Sequence, residues 1–182
     1  MIGVVARTGS AVAVALSGPA VAPRFWARRE IELVPPGLPA QPYHAAAGLN
    51  LAAAGQLIGQ VMHGAEQAAA AGLRALADLV PAEAAPAVAV VVKAVAVPDG
   101  LLAVLRSHTW MHAAAGVLYR QAVLAAAQHC GWQAHAVEMS LLPAAEDALT
   151  ALGQAAGRPW RRAEKDAARA AITVLAQTTS PA

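Results

Sequence analysis

Between Pro86 and Pro98 the chain reads Ala-Val-Ala-Val-Val-Val-Lys-Ala-Val-Ala-Val, with small or β-branched residues on both alternating faces. A strand covered by layers on each side reads this way, so this stretch predicts the centre of a sheet. Lys93 is its only polar residue. A charge in the middle of such a strand must reach an opening, find a counter-ion or titrate, which makes Lys93 the first candidate for chemistry.

Other segments alternate on one face only. Ile2 to Arg7 and Ala11 to Ser17 flank Thr8-Gly9-Ser10 and predict a hairpin. From Arg24 to Val34, Phe25, Ala27, Arg29, Ile31 and Leu33 alternate with Trp26, Arg28, Glu30, Glu32 and Val34. Charges on both series predict an antiparallel edge strand partly open to water. Pro35 to Pro42 is a linker, and His44 to Val80 is helical in composition. Gly48, Gly55, Gly59, Gly64 and Gly72 interrupt it, which predicts two helices rather than one rigid rod and a surface suited to close packing. Pro81 to Pro86 leads into the central strand, and Asp99-Gly100 turns out of it. Leu101 to Arg106 is a short helix, and Ser107 caps another that runs to about His129. Val104, Met111, Leu118 and Ala125 recur every seven residues as its buried stripe. A short strand at Trp132 to Val137 with Glu138 at its end, a helix from Pro143 to Gln154 and a last helix from Pro159 to about Gln177 complete the order. Three strands with antiparallel connections, then helices alternating with two further strands, specify an α/β fold.

A chain of 182 residues fits one domain, residues 1–182, with a core that needs neither disulfide nor structural metal. The 58% hydrophobic content is largely alanine, and the longest charge-free stretch, Leu33 to Ala65, holds Pro35, Pro36, Pro39 and Pro42, so no membrane partner is expected. Ser10 to Ala22 ends Ala-Val-Ala in the manner of a leader cleavage site, but only Arg7 precedes it and Gly18-Pro19 breaks it, so the hairpin is preferred. Cys130 is the single cysteine, which suits a reducing cytoplasm and excludes an internal disulfide. It follows His129 at a helix end, where the dipole disfavours a thiolate, so an inert buried thiol is expected. Net charge is +2 with 13% charged residues, so any surface for nucleic acid must be local.

One such surface is Gly157-Arg158-Pro159-Trp160-Arg161-Arg162, with Lys165 and Arg169 on the following turns. Cations at a helix N-terminus oppose the macrodipole, and a bound phosphate would offset that, with Trp160 stacking on a base. The plainer account is a solvated face whose charge Glu164 and Asp166 offset. His108 and His112 stand four apart, the spacing of helical zinc ligands, but His-Thr-Trp-Met-His lacks the glutamate of that motif. Packing or hydrogen bonding is the preferred role for the pair, and no metal is assigned.

The element order resembles the ribonuclease H-like fold, a five-stranded mixed sheet in the order 3-2-1-4-5 with helices on both faces. Within it the chain is most similar to the RuvC-type Holliday-junction resolvases. The residues that carry the likeness are the glycine-containing first hairpin, the Val88 to Val97 strand before a long helix, and Glu164-Lys-Asp-Ala-Ala-Arg-Ala-Ala-Ile172 in the terminal helix. The resemblance implies carboxylates from the first strand, the fourth strand and the last helix, holding two Mg²⁺ ions around a scissile phosphate. Asp166 matches the terminal-helix aspartate, but its companion positions hold Ala163 and Arg169, the first-strand acid falls at Ala6 or Arg7, and the fourth-strand acid falls near Lys93. The implied protein is a catalytically degenerate relative, without cofactor, in which a cation from Lys93 or Arg7 replaces a metal ion and pairs with Asp166. It would bind DNA, branched DNA included, or a protein partner, and would pair as a homodimer through its glycine- and alanine-rich helices. The alternatives are an active Mg²⁺-dependent endonuclease with acids from Glu138, Glu164 and Asp166, and a pure protein-interaction module.

Overall fold

The computed structural model describes residues 1–81 and 87–178. Pro86 and most of the expected lead-in to the central strand lie outside the described residues. Strands β1 (Ile2–Arg7), β2 (Ser10–Ser17), β3 (Arg24–Glu32), β4 (Ala87–Val92) and β5 (Gln133–Glu138) form one sheet in the order β3-β2-β1-β4-β5. β1, β2 and β3 pair antiparallel in sequence, whereas β4 lies parallel to β1 and β5 parallel to β4. The carboxyl ends of β1, β4 and β5 therefore share one edge of the sheet.

Helices cover both faces. α1 (Pro42–Ala46), α2 (Leu51–Ala77), α3 (Leu101–Leu105) and α4 (His108–His129) lie on one side, and α5 (Glu146–Ala156) and α6 (Arg162–Thr178) on the other. Ile2, Val4, Val88 and Val90 meet Leu73, Leu76, Leu118 and Tyr119 on the first side. Val14 and Leu16 meet Leu149, Leu152, Ala168 and Ile172 on the second.

Two expectations change. The two helices expected from His44 to Val80 form as α1 and α2, but the break falls at residues 47–50, so Gly55, Gly59, Gly64 and Gly72 all lie inside one 27-residue helix, with Asn50 capping its start through the Ala53 amide. Two of its glycines sit where the sheet and a loop press on it: a methyl at Gly72 would stand 2.5 Å from Ile31 Cγ2, and one at Gly64 would overlap Pro35. The central strand is shorter than its apolar run, ending at Val92 where β5 also ends at Glu138. Val97 instead joins Val104, Met111 and Ala114 under α3 and α4. Ser107 caps α4 as expected, accepting from the Trp110 amide. The seven-residue stripe holds for Val104, Met111 and Leu118 but then drifts to Ala122 and Ala126, as 3.6 residues per turn requires.

Tyr119 is fully buried, and its hydroxyl donates to the Ala40 carbonyl at 2.7 Å, tying the linker before α1 to α4. Burial, with the Glu32 charge adding, pushes the phenol up to about 12. Below pH 10 the phenol is protonated in both folded and unfolded chains, and the stabilisation is complete. Above pH 10 the unfolded chain ionises first, so stability falls as pH rises towards 12, by about 2–3 kcal/mol at the end of that window. Tyr119→Phe is expected to cost about 1 kcal/mol at neutral pH and to flatten the alkaline loss. Urea midpoints of both proteins at pH 8, 10 and 11 check this, and equal alkaline slopes would refute it.

Candidate functional site

Glu164 stands three residues after Arg161, and its Oε2 accepts from the Arg161 amide at 3.0 Å, a cap on the first turn of α6. Asp166 is two residues further on, about 200° around the helix, so the two carboxylates face different ways. Its Oδ1 accepts from Arg169 Nη1 at 2.9 Å and its Oδ2 lies 3.5 Å from Arg162 Nε. Arg169 also reaches Glu146 at 3.1 Å and the Ala144 carbonyl at 3.3 Å, so it fastens α6 to the start of α5. Asp166, Arg162 and Arg169 are thus engaged with one another.

The expected pair of Lys93 with Asp166 does not form. α6 crosses β1 at Gly3, where the Ala167 backbone rests on the strand, and this is four residues before Arg7. At about 3.3 Å per residue that is about 13 Å short of the strand end. Lys93 follows β4 and is exposed, as is Arg7 at the end of β1. Extending the β1–β4 register, which pairs Val4 with Val90, sets Arg7 level with Lys93. The central-strand reading of Lys93 fails because β4 stops one residue earlier, so the ammonium meets water without crossing the core.

Glu138 closes the same edge from β5. Its Oε2 accepts from the Ala94 amide at 3.2 Å, and its charge offsets part of the burial that lowers the nearby Arg120 guanidinium. The edge where β1, β4 and β5 end therefore carries Arg7, Lys93 and Glu138. Two Mg²⁺ ions need several convergent oxygen ligands, and one carboxylate beside two cations does not fit them. Glu138, Glu164 and Asp166 do not gather: among the described residues the one group of three or more metal-capable side chains is His44, His108 and His112.

The Arg158 segment does form a surface. Arg28 of β3 donates Nη1 to the Gly157 carbonyl at 2.9 Å and Nη2 to the Arg158 carbonyl at 2.8 Å, and Nη1 also meets the Pro159 carbonyl. This fork holds the loop by its backbone. An open groove of about 560 Å³ follows, lined by Arg158, Arg161 and Lys165, by Glu146 and Gln154 on α5, and by Trp160. Trp160 is committed to packing: its indole donates to the Leu149 carbonyl at 3.1 Å, its ring meets Phe25 edge-on at 6.3 Å, and it rests on Gly153. Among the described residues the side chains of Arg158, Arg161 and Lys165 make no ion pair. Sequence reasoning assembles this patch, but not the role of Arg28, which is 129 residues from Gly157.

His44 escapes sequence reasoning altogether. It stands on α1, far in sequence from His108 and His112, and only the packing of α1 against α4 brings the three together. No helix of the described residues is long and apolar enough to cross a membrane.

No protein-family model and no curated protein matches this chain. Among solved structures it is similar to the Thermus thermophilus RuvC structure, with a TM-score of 0.52 and 16% identity over 98% of this chain and 96% of that one. The likeness establishes a RuvC-like, ribonuclease H-like fold, in agreement with the strand order.

Proposed function

We propose that this protein is a RuvC-like scaffold that binds nucleic acid without cutting it, through phosphate contacts from Arg158, Arg161 and Lys165. The observation that carries this reading is the groove itself. Three cations without an ion-pair partner among the described residues line it, and Arg28 holds the backbone of the segment that carries Arg158. Phosphate oxygens are the ligands that such guanidinium and ammonium groups accept best, and no base-reading group is required. The fold shared with RuvC is consistent with a nucleic-acid role. The lack of cleavage is argued from the donor set at the strand ends, where Arg7 and Lys93 stand beside Glu138.

Binding to branched and linear duplexes, followed by fluorescence anisotropy between 50 and 200 mM salt, is expected to weaken with a log–log slope of about −2 to −3, as for three phosphates. The Arg158→Ala, Arg161→Ala double variant should reduce that slope by about 2 while leaving urea stability within about 0.5 kcal/mol. Salt-independent binding, or an unchanged slope in the variant, would overturn the assignment. Mg²⁺- or Mn²⁺-dependent cleavage lost in Glu138→Ala would establish the nuclease reading in its place.

A further inference from the structure

Half of the six histidines in the chain meet at one point. Their ring centroids lie 5.0 Å (His44–His108), 4.4 Å (His44–His112) and 4.5 Å (His108–His112) apart. One nitrogen from each ring can be chosen so that all three lie within 4.8 Å of one another. Both nitrogens of His44 are buried without a hydrogen-bond partner among the described residues, a costly state for an imidazole that could donate and accept. His108 and His112 are exposed, on the first turns of α4, and their rings lie against that of His44. Nothing in ordinary core packing asks three imidazoles to crowd together with the buried one unpaired.

We propose that His44, His108 and His112 form a binding site for a divalent transition metal ion of the zinc class, with a further coordination position open to solvent. Three imidazoles and no carboxylate select zinc, nickel, cobalt or copper over magnesium and calcium, which take oxygen ligands. Two nitrogens at about 2.0–2.1 Å from a tetrahedral ion sit about 3.3–3.4 Å apart, so the rings need to close by at most about 1.5 Å, within reach of small side-chain rotations. The ion would satisfy one of the two orphaned His44 nitrogens and fasten α1 to α4. α1 has only five residues and no side-chain cap at its start, so it depends on tertiary contacts of this kind. The site lies on the opposite face of the sheet from the Arg158 groove, and its occupancy does not depend on nucleic-acid binding.

The test uses the full chain without an affinity tag. Zn²⁺ competition against a chromophoric chelator, together with the visible absorption of bound Co²⁺, is expected to show one site per chain, with the intense bands of a tetrahedral ion. His44→Ala and His112→Ala, each checked for native circular dichroism, should weaken Zn²⁺ at least roughly 100-fold and abolish the Co²⁺ bands. His63→Ala, outside the cluster, should bind as the parent does. Weak surface-type Zn²⁺ binding, or equal losses in His63→Ala and His112→Ala, would overturn the proposal. Should His44→Ala fail to fold, the exposed His112 and His108 variants decide the outcome alone.

Discussion

Gly3→Ala is expected to destroy the native fold. A methyl built on Gly3 would overlap the Ala167 carbonyl oxygen and stand 2.7 Å from its carbonyl carbon. Both atoms belong to the backbone of α6, so no side-chain rotation relieves the clash. The helix would have to lift off β1, separating Ala168, Ala171 and Ile172 from Val14 and Leu16 and opening a gap along the buried seam. Losses above about 4 kcal/mol follow when a backbone contact is overfilled, and a domain with about 5–15 kcal/mol in hand has little left. Gly59→Ala gives the contrast, since a methyl at Gly59 in α2 meets nothing within 4 Å among the described residues. That change should raise stability by about 0.5–1 kcal/mol through helix propensity alone. Urea denaturation of the two variants checks both signs, and a Gly3→Ala protein with the parent's midpoint would mean that α6 does not rest on β1.

The strands and helices themselves were legible from local patterning: a turn between Arg7 and Ser10, charge on both faces of β3, a doubly apolar run at β4. Their order in the sheet and the two helix layers came only with the resemblance to the ribonuclease H-like fold. What sequence could not supply was where runs end and what meets across the chain. Lys93 reads as a buried charge because Val95 and Val97 continue the apolar pattern, yet β4 ends at Val92, level with the end of β5 at Glu138, and Val97 serves a different layer. Gly64 and Gly72 read as helix breakers in isolation, whereas Pro35 and Ile31 need the room that they leave. The cation patch was visible in part because Arg158, Arg161 and Lys165 lie close in sequence, but Arg162 and Arg169, read with them, turn to Asp166 instead. The histidine cluster was half visible, in the four-residue spacing of His108 and His112, but its third member stands far earlier in the chain and only the packing of α1 on α4 brings it in. The pairing of Asp166 was legible in the plainer account of that face, since Arg162 and Arg169 stand four before and three after it on one helix, whereas the resemblance pointed to Lys93 or Arg7 as its partner.

That pairing sets the second large effect. Arg169 is held in a partly buried position, its side chain 19% exposed, between the Asp166 carboxylate, 13% exposed, and the Glu146 and Ala144 oxygens. Arg169→Ala leaves Asp166 with only the exposed Arg162, at 3.5 Å, and removes the fork that joins α5 to α6. Breaking a fully buried pair from one side costs about 3–5 kcal/mol, and the partial exposure here lowers that to about 2–3 kcal/mol. Arg169→Lys should recover little, because one ammonium cannot serve three oxygens spread across two elements as the planar guanidinium does. Asp166→Asn should cost less than Arg169→Ala, since it removes the charge yet keeps an acceptor for Arg169. An acid whose work was to hold metal would give the reverse: Asp166→Asn and Arg169→Ala would leave the urea midpoint where it was, and a divalent-dependent activity would vanish with the first. Midpoints for the three variants, measured beside cleavage assays on the same preparations, therefore decide whether Asp166 serves as a structural clasp.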